Sequence, residues 1–500
     1  MDTAGLERAY FGRRPDVGDP KQLVAFGSGG HRGSSLRDSF NEAHVLAITQ
    51  AVCDYRHRDG ASGPLYMGKD THALSALAQD TALEVLTANG VETVIHQRGG
   101  VTPTPVVSWF ILAHNRCRKQ RLADGIVLTP CDGAPEEGGV RYDSPNGGPI
   151  PKHLARWIDA RANELLRRGN AGVRRPLRSG PVETAPARHA DFVLPYVTDL
   201  RDIIDMESIR GAGIELAVDP LGAHHYWELI GAAYHLLVRT RLVNPWARYD
   251  LALVGDEDSH RYGIVTPSAG LMNPNHYLAL ALRYLLLHRP RWPAGAAAGK
   301  TLASSSLIDR VAGKLGRRLS EVPMGFEWLV PGLLEGSSCF AADGSGGATF
   351  LRRGGAVWTT DWDGIVMGLL AAEMTARIGR DLGEECRALT AELGDPQFAH
   401  LVAAATPDEK ASLEKLAPEA VEATTLAGER IALKITRAPG NDAPIGGLKV
   451  VSRSGWFAAL PSRTEDTYEI YAESFQGVEH LEAIVTDAQR IVGAALAWRR

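Results

Sequence analysis

Short runs rich in apolar and β-branched residues alternate along most of the chain with longer stretches in which apolar positions recur every three or four residues. GPLYMGKD (63–70) predicts a strand, ALAQDTALEVLTANG (76–90) an amphipathic helix, and VETVIHQ (91–97) a second strand. Strands that alternate with helices in this way form parallel or mixed sheets with helical crossovers. The rhythm recurs at GIELAVDPLGAHH with YWELIGAAYHLL (213–237), and again at TLASSSLIDRVAGKLGRRLSEVPMGFE (301–327). Several α/β layers in series are therefore expected. The last part changes character. IALKITR (431–437), LKVVSRSGWFAAL (448–460) and TYEIYAESF (467–475) read as strands, and EHLEAIVTDAQRIVGAAL (479–496) reads as one closing helix, an α+β pattern. Two polar stretches, 167–186 and 406–416, are expected to be linkers.

At 500 residues the chain is too long for one core, and three or four domains are expected. Apolar residues at 44% and charged residues at 23% are globular values that argue against a disordered chain. A formal net charge of −5 lacks the positive excess that phosphate-backbone binding needs, so nucleic acid is not an expected partner. The longest apolar stretch, Tyr277–Leu287, contains an arginine and is too short to span a bilayer, and no membrane partner is expected. The N-terminal residues are charged throughout and lack the apolar core of an export signal. The five cysteines, at 53, 117, 131, 339 and 386, are few and odd in number, which suits a reducing, cytoplasmic setting better than a disulfide framework.

Five loop regions are denser in glycine and polar residues than packing requires. They are FGSGGHRGSS (26–35), TPCDGAPEEGGVRYDSPNGGP (129–149), VGDEDSHRYG (254–263), FAADGSGGATFLRR (340–353), and a pair near the end, TRAPGNDAPIGG (436–447) with PSRTED (461–466). Each alone could be ordinary turn chemistry. In this order, and joined by MGKDTHALS, GLMNPNHYLA, SSSLIDR, EVPMGF and WTTDWDGI, they resemble a bacterial-type phosphoglucomutase of the α-D-phosphohexomutase superfamily from about residue 5 to the C-terminus.

The resemblance implies a four-domain α/β architecture: three α/β domains around a central cleft and a C-terminal α+β domain. The expected divisions are 1–185 with the nucleophile-type loop, 186–300 with the metal-type loop, 301–420 with the sugar-binding-type loop, and 421–500 with the phosphate-binding-type loop. It also implies a sugar phosphate as ligand, magnesium as cofactor and a phosphoserine intermediate; whether the protein is a monomer or a dimer stays open.

Residue by residue, the match breaks where that chemistry belongs. The family's Thr-Pro-Ser-His-Asn-Pro reads Thr129-Pro130-Cys131-Asp132-Gly133, so the phosphoserine position holds a thiol. Of three alternating aspartates that hold magnesium, Asp256 and Asp258 remain before Arg261, and the third is His260. Imidazole suits zinc, iron, manganese or nickel better than magnesium, so a transition metal at Asp256, Asp258 and His260, with Cys131 or Asp132 opposite, is one expectation. The other is that His260 faces solvent and nothing binds. The family's GFKW lysine is Glu327, which reverses a charge beside the transferring phosphoryl group. Trp109 and Trp362 stand where the family has histidine and lysine, adding bulk and removing polarity.

Binding groups survive better. His31 and Arg32 remain in the first loop, and with Cys131, Asp132 and Glu327 they are the candidate catalytic set. Asp343, Ser345 and Arg261 are the candidate sugar-binding groups, and Arg437, Ser462, Arg463 and Thr464 the candidate phosphate-binding groups. Between 245 and 249 only Trp246–Arg248 stand where the family carries some tens of residues, a trimmed second domain. Three functions follow from these changes. One is an enzyme that binds a phosphosugar and performs chemistry other than the usual mutase cycle; the others are a non-catalytic phosphosugar-binding paralogue and a mutase that uses Cys131.

Overall fold

A computed structural model describes residues 2–27, 29–131, 133–176, 187–240, 249–462 and 466–497. Two compact units share the chain in an interleaved way: 1–265 with 357–377, and 266–356 with 378–500. None of the described helices is long and apolar enough to cross a membrane.

The first unit holds two sheets. Its larger sheet is built from β1 (Gly30–Ser34), β2 (Leu65–Lys69), β3 (Thr93–His96), β4 (Asp124–Leu128), β5 (Glu137–Asp143) and β6 (Arg188–Ala190), in the order β1-β5-β4-β2-β3-β6. Strands β4, β2, β3 and β6 run parallel, whereas β5 is antiparallel to both of its neighbours, β4 and β1. β4 is buried at every position, as expected of a strand covered on both faces. Helices Glu42–Arg58, Ala73–Ala88 and Lys152–Arg167 supply most of the covering core, with Ile48, Val85 and Ile158 fully buried. The first of these starts at Asn41, whose side chain accepts from the Ala43 amide while the Asn41 amide donates to His44 Nδ1, a reciprocal cap with histidine in the usual glutamate role.

The smaller sheet runs β10-β9-β7-β8, from β7 (Glu215–Asp219), β8 (Leu237–Arg239), β9 (Leu251–Gly255) and β10 (Tyr262–Thr266). The metal-type loop is the turn between β9 and β10, which are antiparallel. Residues 246–248, on which the trimmed second domain was argued, lie outside the described residues.

After a two-residue strand, β11 (Gly270–Leu271), the second unit forms a sheet around β12 (Ala297–Thr301), with β13 (Leu319–Val322) and β14 (Ser338–Ala342) parallel to it and β15 (Ala348–Phe350) antiparallel at the edge. The last sheet is antiparallel, β16-β22-β21-β20-β19, with a small hairpin of β17 (Thr425–Leu426) and β18 (Glu429–Arg430) beside it in sequence. Its strands are β16 (Gln397–Ala404), β19 (Leu433–Arg437), β20 (Pro444–Val451), β21 (Gly455–Pro461) and β22 (Thr467–Ser474). The helix Val478–Ala497 covers one face through Ile484, Ala488 and Val492. This sheet takes its first strand from well upstream of residue 421.

The stretch 406–416 is not a linker. Pro407–Glu414 is a helix, started by a capping box in which Thr406 Oγ1 accepts from the Glu409 amide and the Glu409 carboxylate accepts from the Thr406 amide. Its proline sits at the first helical position, where a missing N–H costs nothing, and Leu413 anchors the helix in the core.

Candidate active site

Four segments of the first unit converge on a buried polar cluster. The turn after β4 carries Cys131, whose amide donates to Thr129 Oγ1 at 2.9 Å and whose backbone lies in the left-handed region, φ +58°. A non-glycine residue there is strained, and such strain is concentrated at functional positions. The β9–β10 turn carries Asp258 and His260. Asp258 is anchored by Thr104, whose amide donates to its carbonyl and whose hydroxyl donates to its Oδ2 at 3.0 Å. From β5 come Arg141 and Asp143, two residues apart and so on one face of the strand. The segment 357–363 brings Asp361 and Trp362.

The side chains interlock. Cys131 Sγ lies 2.9 Å from His260 Nδ1 and 3.4 Å from Asp258 Oδ2, and His260 Nδ1 lies 3.4 Å from that same oxygen. On the far side of the ring, His260 Nε2 is 3.3 Å from Asp361 Oδ1 and 3.3 Å from the Arg141 guanidinium. Arg141 Nε donates to Asp143 Oδ1 at 2.8 Å, and its Nη2 pairs with Asp361. The Trp362 indole stands edge-on to the imidazole, 5.4 Å between centroids. Asp258 and His260 are each about 1% exposed.

Burial shapes the charges. It pushes the Cys131 thiol up to about 11, and the neighbouring Asp258 carboxylate adds to the rise. For His260, burial works against the imidazolium, but Asp258, Cys131 and Asp361 outweigh it and hold the pKa well above the ordinary value. Asp361 is pulled down despite its burial by Arg141 and His260. Burial and the Asp258 charge lift the Asp256 carboxyl to about 7.

The structure thus brings together Cys131, Asp258 and His260 from the sequence-predicted set. Asp256 stays apart from the trio: its Oδ1 accepts from the Arg261 amide at 3.0 Å and so serves to shape the turn. His260 is turned inward, which rules out the solvent-facing alternative. Asp132 lies outside the described residues, as do Arg463 and Thr464. His31 is buried and held on both sides of its ring: its Nδ1 accepts from the Ala25 amide, its Nε2 bonds the Ser39 carbonyl, and burial lowers its pKa. Arg32 is exposed on β1, in register with Gly139. Trp109 does not remove polarity, because its Nε1 donates to Asp199 Oδ2 at 3.0 Å.

In the second unit, Asp343 and Ser345 are brought together by an Asx turn in which Asp343 Oδ1 accepts from both the amide and the hydroxyl of Ser345. Glu327 sits half-buried on the short turn Phe326–Trp328, its carboxylate against the backbone of Gly325. Arg437 forms a two-pronged pair with Asp442, with Nε at 2.8 Å and Nη2 at 3.1 Å from its carboxylate oxygens. Ser462 closes the β21–β22 hairpin through its amide to the Thr467 carbonyl.

Arg141, Asp143 and Asp361 were not singled out in the sequence. The available signal was the Arg-x-Asp alternation on β5, which places opposite charges on one face of a buried strand.

Family models for phosphoglucomutase/phosphomannomutase α/β/α domain I and domain III match residues 23–168 and 273–393. A phosphoglucomutase from Komagataeibacter xylinus is 46% identical over 99% of this chain and 96% of its own length. Among solved structures, a phosphoglucomutase/phosphomannomutase family protein from Burkholderia thailandensis superposes with a TM-score of 0.69 at 18% identity, covering 95% of this chain and 98% of its own. An N-acetylphosphoglucosamine mutase from Aspergillus fumigatus, in complex with GlcNAc-6P and magnesium, gives 0.55 at 11% identity, covering 96% of each. At these identities the two structures speak to the fold.

Proposed function

Because the chain belongs to the phosphoglucomutase/phosphomannomutase family, we propose that this phosphohexomutase-like enzyme binds a hexose phosphate and works through Cys131 and His260 instead of a phosphoserine cycle. The observation that carries this reading is the position of Cys131 Sγ, held between His260 Nδ1 and Asp258 Oδ2 where the family presents a serine oxygen. A thiol raised to about 11 is protonated near neutrality and is a poor acceptor for a phosphoryl group unless a base or a cation ionises it.

Magnesium does not fit the cluster. It asks for hard oxygen ligands in near-octahedral order, and two of the three converging donors are a sulfur and an imidazole nitrogen. The Asp343–Ser345 turn and the phosphate-type groups Arg437 and Ser462 support hexose phosphate as the ligand class, with Arg463 and Thr464 assigned to phosphate on the sequence motif alone.

A second reading is a phosphoglucomutase that uses Cys131 as phosphoryl carrier, and the full-length 46% identity to the K. xylinus phosphoglucomutase favours it. Two measurements on one preparation separate the readings. Calorimetry with glucose 1-phosphate and glucose 6-phosphate should show binding, while an assay coupled to glucose 6-phosphate, with glucose 1,6-bisphosphate present, should show no conversion comparable with a phosphoserine mutase. The Cys131→Ser variant should not restore turnover, because His260 and Glu327 remain. Robust bisphosphate-dependent turnover in the unmodified protein would establish the second reading instead, and absence of binding to any hexose phosphate would remove both.

A further inference from the structure

The donor atoms at the core of the cluster have a geometry of their own. Cys131 Sγ, Asp258 Oδ2 and His260 Nδ1 form a triangle with edges of 2.9, 3.4 and 3.4 Å. Three ligands of a tetrahedral zinc ion, at about 2.3 Å for sulfur and about 2.0–2.2 Å for nitrogen and oxygen, stand roughly 3.4–3.6 Å apart. Two edges already match, and the third needs to open by about half an ångström. We propose that Cys131, Asp258 and His260 bind a zinc-class ion, with the fourth coordination position left open.

Three further observations support this assignment. The nitrogen that faces sulfur and carboxylate is Nδ1, while Nε2 points at Asp361 Oδ1, 3.3 Å away. A metal-binding histidine characteristically hands its other N–H to a carboxylate, which fixes the ring and raises its basicity. Asp361 is itself held by the Trp362 amide at 2.9 Å and by Arg141, so the orienting group is rigid. The charges also close: a thiolate and a carboxylate neutralise a divalent ion, and the imidazole binds neutral. Arg141 does not intrude, since its guanidinium lies beside Nε2, away from the triangle, and is matched by Asp143 and Asp361. Finally, Thr104 anchors Asp258 and the strained backbone of Cys131 fixes its sulfur, so the donors are set before the ion arrives. Soft sulfur with borderline nitrogen selects zinc, or cobalt as its probe, over magnesium.

The experiment uses the full chain stripped with a chelator and does not depend on any sugar phosphate or on turnover, so it stands apart from the functional reading. Zinc alone, titrated calorimetrically and checked by elemental analysis, should bind at one ion per chain and raise the melting temperature; magnesium at a hundredfold higher concentration should do neither. Cobalt in place of zinc should give a thiolate-to-cobalt charge-transfer band together with the intense visible bands of a tetrahedral site. Cys131→Ser should abolish the charge-transfer band and weaken zinc binding about a hundredfold or more, whereas Asp361→Asn, acting through His260, should weaken it about 10–100-fold with the band retained. Asp256→Asn should leave zinc affinity unchanged. No zinc uptake by the unmodified protein, a cobalt spectrum without the thiolate band, or equal zinc affinity in wild type and Cys131→Ser would each overturn the site. Because the cobalt spectrum of the unmodified chain decides the question without any substitution, a variant that fails to fold does not shelter the proposal.

Discussion

Asp363 shows what burial does to a single group in this protein. Its carboxylate accepts from Tyr196 Oη at 2.9 Å, Trp358 Nε1 at 2.7 Å and the Val366 amide at 3.0 Å, yet burial, the larger influence, keeps its pKa up at about 6. A carboxyl near 4 in the unfolded chain and near 6 in the folded one binds more protons folded than unfolded between those values. Its contribution therefore favours the fold below pH 4 and is lost as pH rises through 6. Asp363→Asn does not titrate, so its stability relative to wild type should improve between pH 4 and pH 7 by up to ~3 kcal/mol, whatever constant cost the lost hydrogen bonds impose. Melting temperatures of both proteins across that range check this; a gap that does not change with pH would show that the three donors cancel the burial.

Between elements, the clearest single joint is a buried charge ladder in the second unit. Lys300 on β12 and Glu321 on β13 stand in register, and Lys449 on β20 reaches Glu321 Oε2 at 2.9 Å and the Leu302 carbonyl at 2.8 Å while lying over the Trp456 ring. Two sheets are thus tied through one carboxylate. Glu321→Ala leaves two ammonium groups without it and should cost roughly 3–5 kcal/mol, read from urea unfolding followed by tryptophan fluorescence. A loss below about 1 kcal/mol would mean that Asp309 and the carbonyls satisfy the lysines unaided. Elements of this kind were readable in advance where local pattern dictates them, as in β2 and β3 and the amphipathic closing helix. The helix at Pro407–Glu414 was hidden because its proline and polar residues mimic a linker, and only Leu413 marks its buried face. Motif residues that are contiguous in the chain, such as Asp258 and His260, could be named from sequence. Arg141 and Asp361 could not, because they lie 220 positions apart and only the fold brings them to the same imidazole.

At the scale of the whole molecule, family and fold agree, and the scaffold is kept along nearly the whole chain. That scaffold is interleaved: the first unit is left at residue 265 and completed only by 357–377. The returning stretch carries Asp361 and Asp363 and the helix Gly364–Ile378, whose Gly368 lies against the Leu253 and Trp227 side chains. On a ribosome, which delivers the chain from its N-terminus, everything before residue 265 must wait through the synthesis of the whole β12–β15 sheet before its last helix arrives. During that interval Trp227 and Leu253 lack their cover and Arg141 lacks Asp361. Nascent chains arrested between 265 and 356 should accordingly stay sensitive to protease in their first unit, and resistance should appear as a step once residue 377 has cleared the exit tunnel. Protection that grew steadily with length, or was complete by 265, would contradict this. The timing of birth, set by where the chain crosses over, then decides how long the first unit stays incomplete, however stable it is once finished.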